Sequence, residues 1–223
     1  MNNNALLTKN LYKCDITHIK AFFDTYEYPW QMLPHIKELI MDLLNKGIPG
    51  YRLLKENVLI GSNVSIAETA TIIGPAIIGN NTEIRPGAYI RGTFICGDNC
   101  VLGNSCEFKN CILLNNVQVP HFSYVGDSVL GNFAHMGAGA ICSNLKSDGL
   151  NVIIHGDKDI ETGLRKVGAF LGDYADVGCQ SVLNPGTVVG QHSQIYPLSS
   201  VRGVVPSASI YKGKDNIVPK LDK

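Results

Sequence analysis

Neither sign of charge is in surplus in this sequence: lysine and arginine together number 19, and aspartate and glutamate together also number 19. A nucleic-acid binder carries a basic excess, so no nucleic-acid partner is expected. Long apolar runs are missing too. No stretch approaches the roughly 18 apolar residues of a membrane-spanning helix, and no membrane partner is expected. The opening MNNNALLTKN has no apolar core of the kind a secretory signal carries. The seven cysteines are odd in number and contain no CxxC pair, which points to no metal site and to a reducing, cytoplasmic location. With 45% hydrophobic residues, the chain is not composed as a disordered one.

What the chain does have is a period. In steps of six from Ile60 come Ile66, Ile72, Ile78, Ile84, Ile90, Cys96, Leu102 and Phe108. Four residues after each anchor the side chain is mostly small, as at Val64, Ala70, Ala76, Thr82 and Ala88. The frame slips by one to Leu113, Val119 and Val125, and slips again to Leu130 and Met136. It returns after an interruption at Leu171, Val177, Leu183, Val189, Ile195 and Val201. A helix repeats its apolar positions every three or four residues and a strand every two. A sustained period of six predicts an all-β solenoid of short parallel strands separated by corners, one hexad per flat side. Three sides make a coil of 18 residues. Ile60, Ile78 and Cys96 would then stack in one interior column and Ile66, Ile84 and Leu102 in the next. Gly79-Asn80-Asn81 and Gly97-Asp98-Asn99 supply the backbone freedom of the corners. Cys96, Cys100 and Cys106 fall at anchor or small inward positions, with Cys111 beside one, and are read as core fillers.

Residues 1–57 read as a helical N-terminal extension and linker. Asp15 is positioned to cap a short helix carrying Ile16, Ile19, Phe22 and Phe23. A second helix is expected from about Gln31 to Asn45, ended by Gly47. The expected task of these helices is to cover the open end of the first coil. The solenoid itself is expected over 58–212, with residues 142–166 as an inserted loop and 213–223 as a C-terminal tail. A long excursion from a regular scaffold is commonly functional.

Within VPHFSYVGD, residues 119–127, His121 lies at the third position of its hexad, near a corner, where full burial is not expected. A neutral imidazole titrating near pH 6.5 suits a general base. Four motifs surround it in order: Arg85-Pro86-Gly87-Ala88, then Lys109, then His121-x-x-Tyr124-x-Gly126-Asp127, then Gly137-Ala138-Gly139.

This set resembles the hexapeptide-repeat acyltransferases. In particular it resembles the acetyltransferase domain of the bifunctional enzymes that make UDP-N-acetylglucosamine, and that of archaeal sugar-phosphate nucleotidylyltransferases. The resemblance implies a left-handed parallel β-helix, although strand sterics alone favour right-handed crossovers. It implies a CoA-dependent N-acetyltransferase acting on an amino-sugar phosphate of the hexosamine-1-phosphate type, with His121 as the base that takes the amine proton. Arg85, Lys109 and Tyr124 would bind the phosphorylated sugar, and His135 and Asn144 stand where the family places asparagines. The acyl donor would be acetyl-CoA, in a groove between the solenoids of a homotrimer. That groove would be lined by Ala138, Gly139, Ser181 and Pro197, with Lys166 (and Arg165, Lys212 or Lys214) meeting the CoA phosphates. The family's Asn-Tyr pair is Asn144-Leu145 here, so the acceptor is open between a hexosamine phosphate and a sugar nucleotide. The G-x-G-T-R signature of the nucleotidyltransferase half is not found in residues 1–57, and uridylyl transfer is not expected. The alternative is a non-catalytic or regulatory sugar-nucleotide-binding solenoid. A zinc-dependent γ-type carbonic anhydrase, which shares the solenoid, needs an H-x4-H pair that the six histidines do not form.

Overall fold

The computed structural model describes residues 3–221. The hexads form short parallel strands that wind into a three-faced prism. The first face stacks Ile60, Ile78, Cys96, Leu113, Leu130, Leu171, Val189 and Val205 in one inward column. The second stacks Ile66, Ile84, Leu102 and Val119, then Met136, Val177, Ile195 and Tyr211. The third stacks Ile72, Ile90, Phe108, Val125, Cys142, Leu183 and Val201. These three columns make one continuous core, in which each coil buries its apolar side chains only against its neighbours. The cysteines at 96, 100, 106 and 111 are buried in it.

The corners have their own chemistry. After the first face, Asn63, Asn81, Asn99 and Asn116 all adopt φ between 54° and 61°, a left-handed conformation that asparagine tolerates better than most residues. Beside them runs a ladder. The side-chain oxygens of Asn80, Asp98, Asn115, Asn132 and Asp173 each accept the backbone N–H of the preceding coil, at 2.7–3.1 Å.

The frame slips occur at the corner between the third and first faces. From Ile90 to Cys96 the chain takes six residues; from Phe108 to Leu113 and from Val125 to Leu130 it takes five. The strands Glu107–Leu113 and Tyr124–Leu130 therefore run through this corner without a break. The excursion leaves from the same corner one coil later. It carries the antiparallel hairpin Ile153–His155 with Asp159–Glu161.

At the open end of the first coil, the N-terminal extension contributes the strand Arg52–Lys55, antiparallel to Val58–Ile60 with Leu54 against the core, but its helices do not cover that end, contrary to the expectation from the sequence. Its helices lie along the outside of the first face. There Leu6, Leu11, Ile19, Phe23, Trp30, Met32, Leu33, Ile36 and Ile40 bury the outward row Leu59, Ile77, Ile95, Ile112, Val129, Phe170 and Val188. The reason is that the first face is apolar on both sides, and an exposed row of that length would be unstable in water. Val152, Ile154 and Val167 of the excursion join the same cluster. The two helices differ in detail from expectation. One spans Thr17–Thr25 without a side-chain cap from Asp15. The other is a 3-10 turn over Pro29–His35, with Pro34 inside it, followed by an α-helix over Ile36–Lys46. Proline removes a backbone donor and so favours a break there. Gly47, at φ 74°, ends the second helix. At the far end Asn216–Pro219 folds back antiparallel on Ser209–Gly213 and closes the last coil. No helix among the described residues is long and apolar enough to cross a membrane.

Candidate active site

The tightened corner gathers side chains from three successive coils around one carboxylate. Asp127 sits there with φ 48° and only 3% of its surface exposed. Its oxygens accept from Lys109 Nζ at 3.1 Å, from Asn110 Nδ2 at 2.8 Å and from Asn144 Nδ2 at 2.5 Å. Asn144 Nδ2 also donates to the Tyr124 hydroxyl at 3.1 Å. The Asp127 carbonyl accepts the Gly168 N–H at 2.7 Å, which pins the returning end of the excursion to the site. Gly168 is required at this point, since a Cβ there would lie 2.1 Å from the Gly126 carbonyl oxygen. Burial, with the negative Asp127 beside it, raises the pKa of Tyr124 above its usual value, so the phenol stays protonated and can donate. Lys109 keeps donor capacity beyond its contacts with Asp127, because an ammonium carries three N–H groups.

His121 lies at the other end of the same face, at the corner just before Tyr124. Its ring is exposed, 6.5 Å from that of Phe122. Its backbone is fixed: the His121 carbonyl accepts the Gly139 N–H and the Ser123 hydroxyl, both at 3.0 Å. Coil by coil, Asn104, His121, Ala138, Cys179 and Pro197 follow one another along this edge. Gly137 and Gly139 use their N–H groups on Val177 and His121, whereas the Ala138 N–H donates to no acceptor among the described residues. A free backbone donor one coil from an imidazole is the arrangement a developing oxyanion needs.

The remaining candidates separate. Lys109, Tyr124 and Asn144 are brought together; Ala138 and Pro197 share the edge of His121. Arg85 reaches Glu83 at 3.0 Å on the second face. His135 is paired with Asp176 at 2.8 Å, and that contact holds the Asp176 carboxyl below its usual pKa. Neither touches the Asp127 cluster. Ser181 is corrected as a groove-lining residue: it is an inward, buried small residue, and its hydroxyl donates to the Tyr196 carbonyl at 3.1 Å. Lys166 pairs with Leu145 at the excursion corner, on the other side of its own third face from Ala138 and Pro197. Asn110 was not singled out from the sequence. Its signal was the shortened spacing between Phe108 and Leu113, which places a polar residue at a corner one step early.

A prism of hexapeptide repeats carrying these motifs in this order defines the class: a hexapeptide-repeat β-helix protein resembling acyltransferases. Comparison with known proteins agrees. Residues 72–164 match the family model described as the GMPPB C-terminal domain. The chain is 36% identical over 209 residues to "Bifunctional protein GlmU" of Methanococcus maripaludis, covering 91% of this chain and 50% of that protein. It is 33% identical over 153 residues to "Uncharacterized acetyltransferase YaiX" of Escherichia coli, covering 68% and 66%. Among solved structures, the UDP-N-acetylglucosamine acyltransferase from Campylobacter jejuni shares the fold, with a TM-score of 0.51 at 18% identity, over 72% of this chain and 69% of that one. The chain thus spans about half the length of its GlmU relative.

Proposed function

We propose that this chain is a CoA-dependent N-acetyltransferase whose acceptor is an amino-sugar phosphate, with His121 as general base. The observation that carries the reading is the convergence of Lys109, Tyr124 and Asn144 at one end of a face whose other end bears the exposed imidazole of His121. Lys109 and the Tyr124 hydroxyl would donate to the sugar's phosphate. His121 takes the proton from the ammonium, or from the attacking amine as the C–N bond forms. The carbonyl carbon of acetyl-CoA goes tetrahedral, its oxygen facing the Ala138 N–H. Collapse breaks the C–S bond, and the CoA thiolate leaves and takes up a proton.

Acetyl-CoA needs walls that one flat prism does not supply. The edge bearing His121 also exposes Phe122, Tyr196 and Leu198, the last at 81%. Apolar side chains left in water along an edge favour cover by another surface, which supports a homotrimer with sites between subunits. The test is thiol release from acetyl-CoA with glucosamine 1-phosphate or galactosamine 1-phosphate as acceptor. His121→Ala should lower kcat at least a hundredfold with the far-ultraviolet spectrum unchanged; full turnover in that variant would remove His121 as base. Light scattering of the wild type reads the trimer.

A further inference from the structure

The excursion and the last coils flank a cavity of about 470 Å³, lined by Ser143, Lys146, Asp148, His155, Asn184 and Arg202, among others. Three of these are cationic or can become so, against one acid. Lys146 is held by Asp148 at 3.1 Å and His155 by Asp159 at 3.0 Å. Arg202 is exposed, and its guanidinium has no partner among the described residues. The cavity adjoins the acceptor cluster, because Ser143 immediately precedes Asn144. It is also in register with it. On the outward row at the end of the third face, Lys109, Gly126, Ser143, Asn184 and Arg202 occupy successive coils. Four steps of about 4.8 Å separate the Cα atoms of Lys109 and Arg202 by roughly 19 Å. Between the two cations the row itself carries only glycine, serine and asparagine, and the Tyr124 ring lies across the glycine, so a ligand on this track passes over the phenol.

A hexosamine 1-phosphate would occupy only the Lys109 end of this track. We infer that the cavity is a second anion subsite, and that the acceptor is a nucleoside-diphosphate amino sugar whose diphosphate and nucleoside run from Lys109 towards Lys146 and Arg202. This rests on the acceptor reading given above and narrows it. The opposite edge, with His121, Ala138 and Pro197, is left to the acyl donor.

Calorimetric titration of the full chain with UDP-glucosamine, glucosamine 1-phosphate and CoA tests it. Wild type should bind UDP-glucosamine more tightly than glucosamine 1-phosphate. A charge-assisted hydrogen bond contributes more than a neutral one, so Arg202→Ala should lower the ratio of the two affinities at least tenfold, and Lys146→Ala should lower it in the same direction. Arg202 is exposed, and truncating an exposed side chain changes stability little, so the variant remains readable. No UDP-glucosamine binding, an unchanged ratio, or a loss confined to CoA would each overturn the subsite. The binding readout does not depend on proton transfer. Absence of acetyl transfer with the ratio effect intact would sink the catalytic reading and leave the subsite standing; transfer with an unchanged ratio would do the reverse.

Discussion

Replacing Asp127 by alanine separates a structural carboxylate from a decorative one. In the folded protein this side chain is almost fully buried and is bonded to Lys109, Asn110 and Asn144. Removing one member of a buried ion pair costs about 3–5 kcal/mol, because the partner's charge is left unmatched. Lys109 is 23% exposed, so water relieves part of its loss and about 3 kcal/mol is the better figure. Alanine at φ 48° adds about 1 kcal/mol of left-handed backbone strain that aspartate tolerates. The sum is about 4 kcal/mol of lost stability. Asp127→Asn keeps the tolerant backbone and one acceptor oxygen, and should lose about 2 kcal/mol. Adding Lys109→Met to it should restore part of that loss, since no buried charge then lacks a partner. Urea unfolding followed by circular dichroism at fixed protein concentration measures all three. An Asp127→Ala variant within 1 kcal/mol of wild type would refute the claim that this carboxylate organises the corner.

Phe170→Ala removes the ring on which Trp30 rests, 5.9 Å between centroids. It should cost about 3–5 kcal/mol and shift the fluorescence of Trp30, the single tryptophan, towards that of an exposed indole. Burial holds the pKa of His18 below its usual 6.5. Its contribution to stability is therefore complete above pH 6.5 and is lost as the pH falls through the lowered value, because the unfolded chain takes the proton first. Melting temperature should drop between pH 7.5 and 5.5 in wild type, and the drop should shrink in His18→Phe; an unchanged slope would acquit His18. Of the seven cysteines only Cys179 is exposed, and burial pushes the Cys142 thiol up to about 12. An Ellman titration should find one reactive thiol per native chain and seven in urea.

Much of the prism was written in the anchors. Ile60, Ile78 and Cys96 share a column, and Ile66, Ile84 and Leu102 share the next, because one inward side chain per hexad is the only pattern a three-sided solenoid can bury. The placement of the N-terminal helices is legible in the same strands. On the first face the apolar residues come in runs, as in Val58-Leu59-Ile60, Ala76-Ile77-Ile78 and Phe94-Ile95-Cys96, all buried. A strand apolar on both faces is covered on both sides, and the amphipathic segments that precede the solenoid are what covers it. Ser181 faces inward for a related reason. Its position four residues after an anchor is an inward one, and hydroxyls occur there because they can donate to a carbonyl of the next coil, as Ser181, Thr187 and Ser193 do.

The one-residue slips hold the link between fold and site. At a six-residue corner, residues beyond the anchor turn outward on a loop; at a five-residue corner the strand runs on, and Lys109, Asn110 and Asp127 are drawn into the stack. Two tightened coils in succession set Lys109 directly beside Gly126, with Asp127 next along the strand, and the third coil contributes Asn144 before the chain departs. A loop could carry the same residue types, but it would have to order them on each binding event, at an entropic cost of about 1–2 kcal/mol per residue fixed. Continuous strand imposes that order at folding instead. If this account holds, an extra glycine inserted between Asn110 and Cys111 would restore the six-residue spacing, keep the hexad core in phase and still abolish acceptor binding, whereas the same insertion at the corner after Ile73 would leave binding intact.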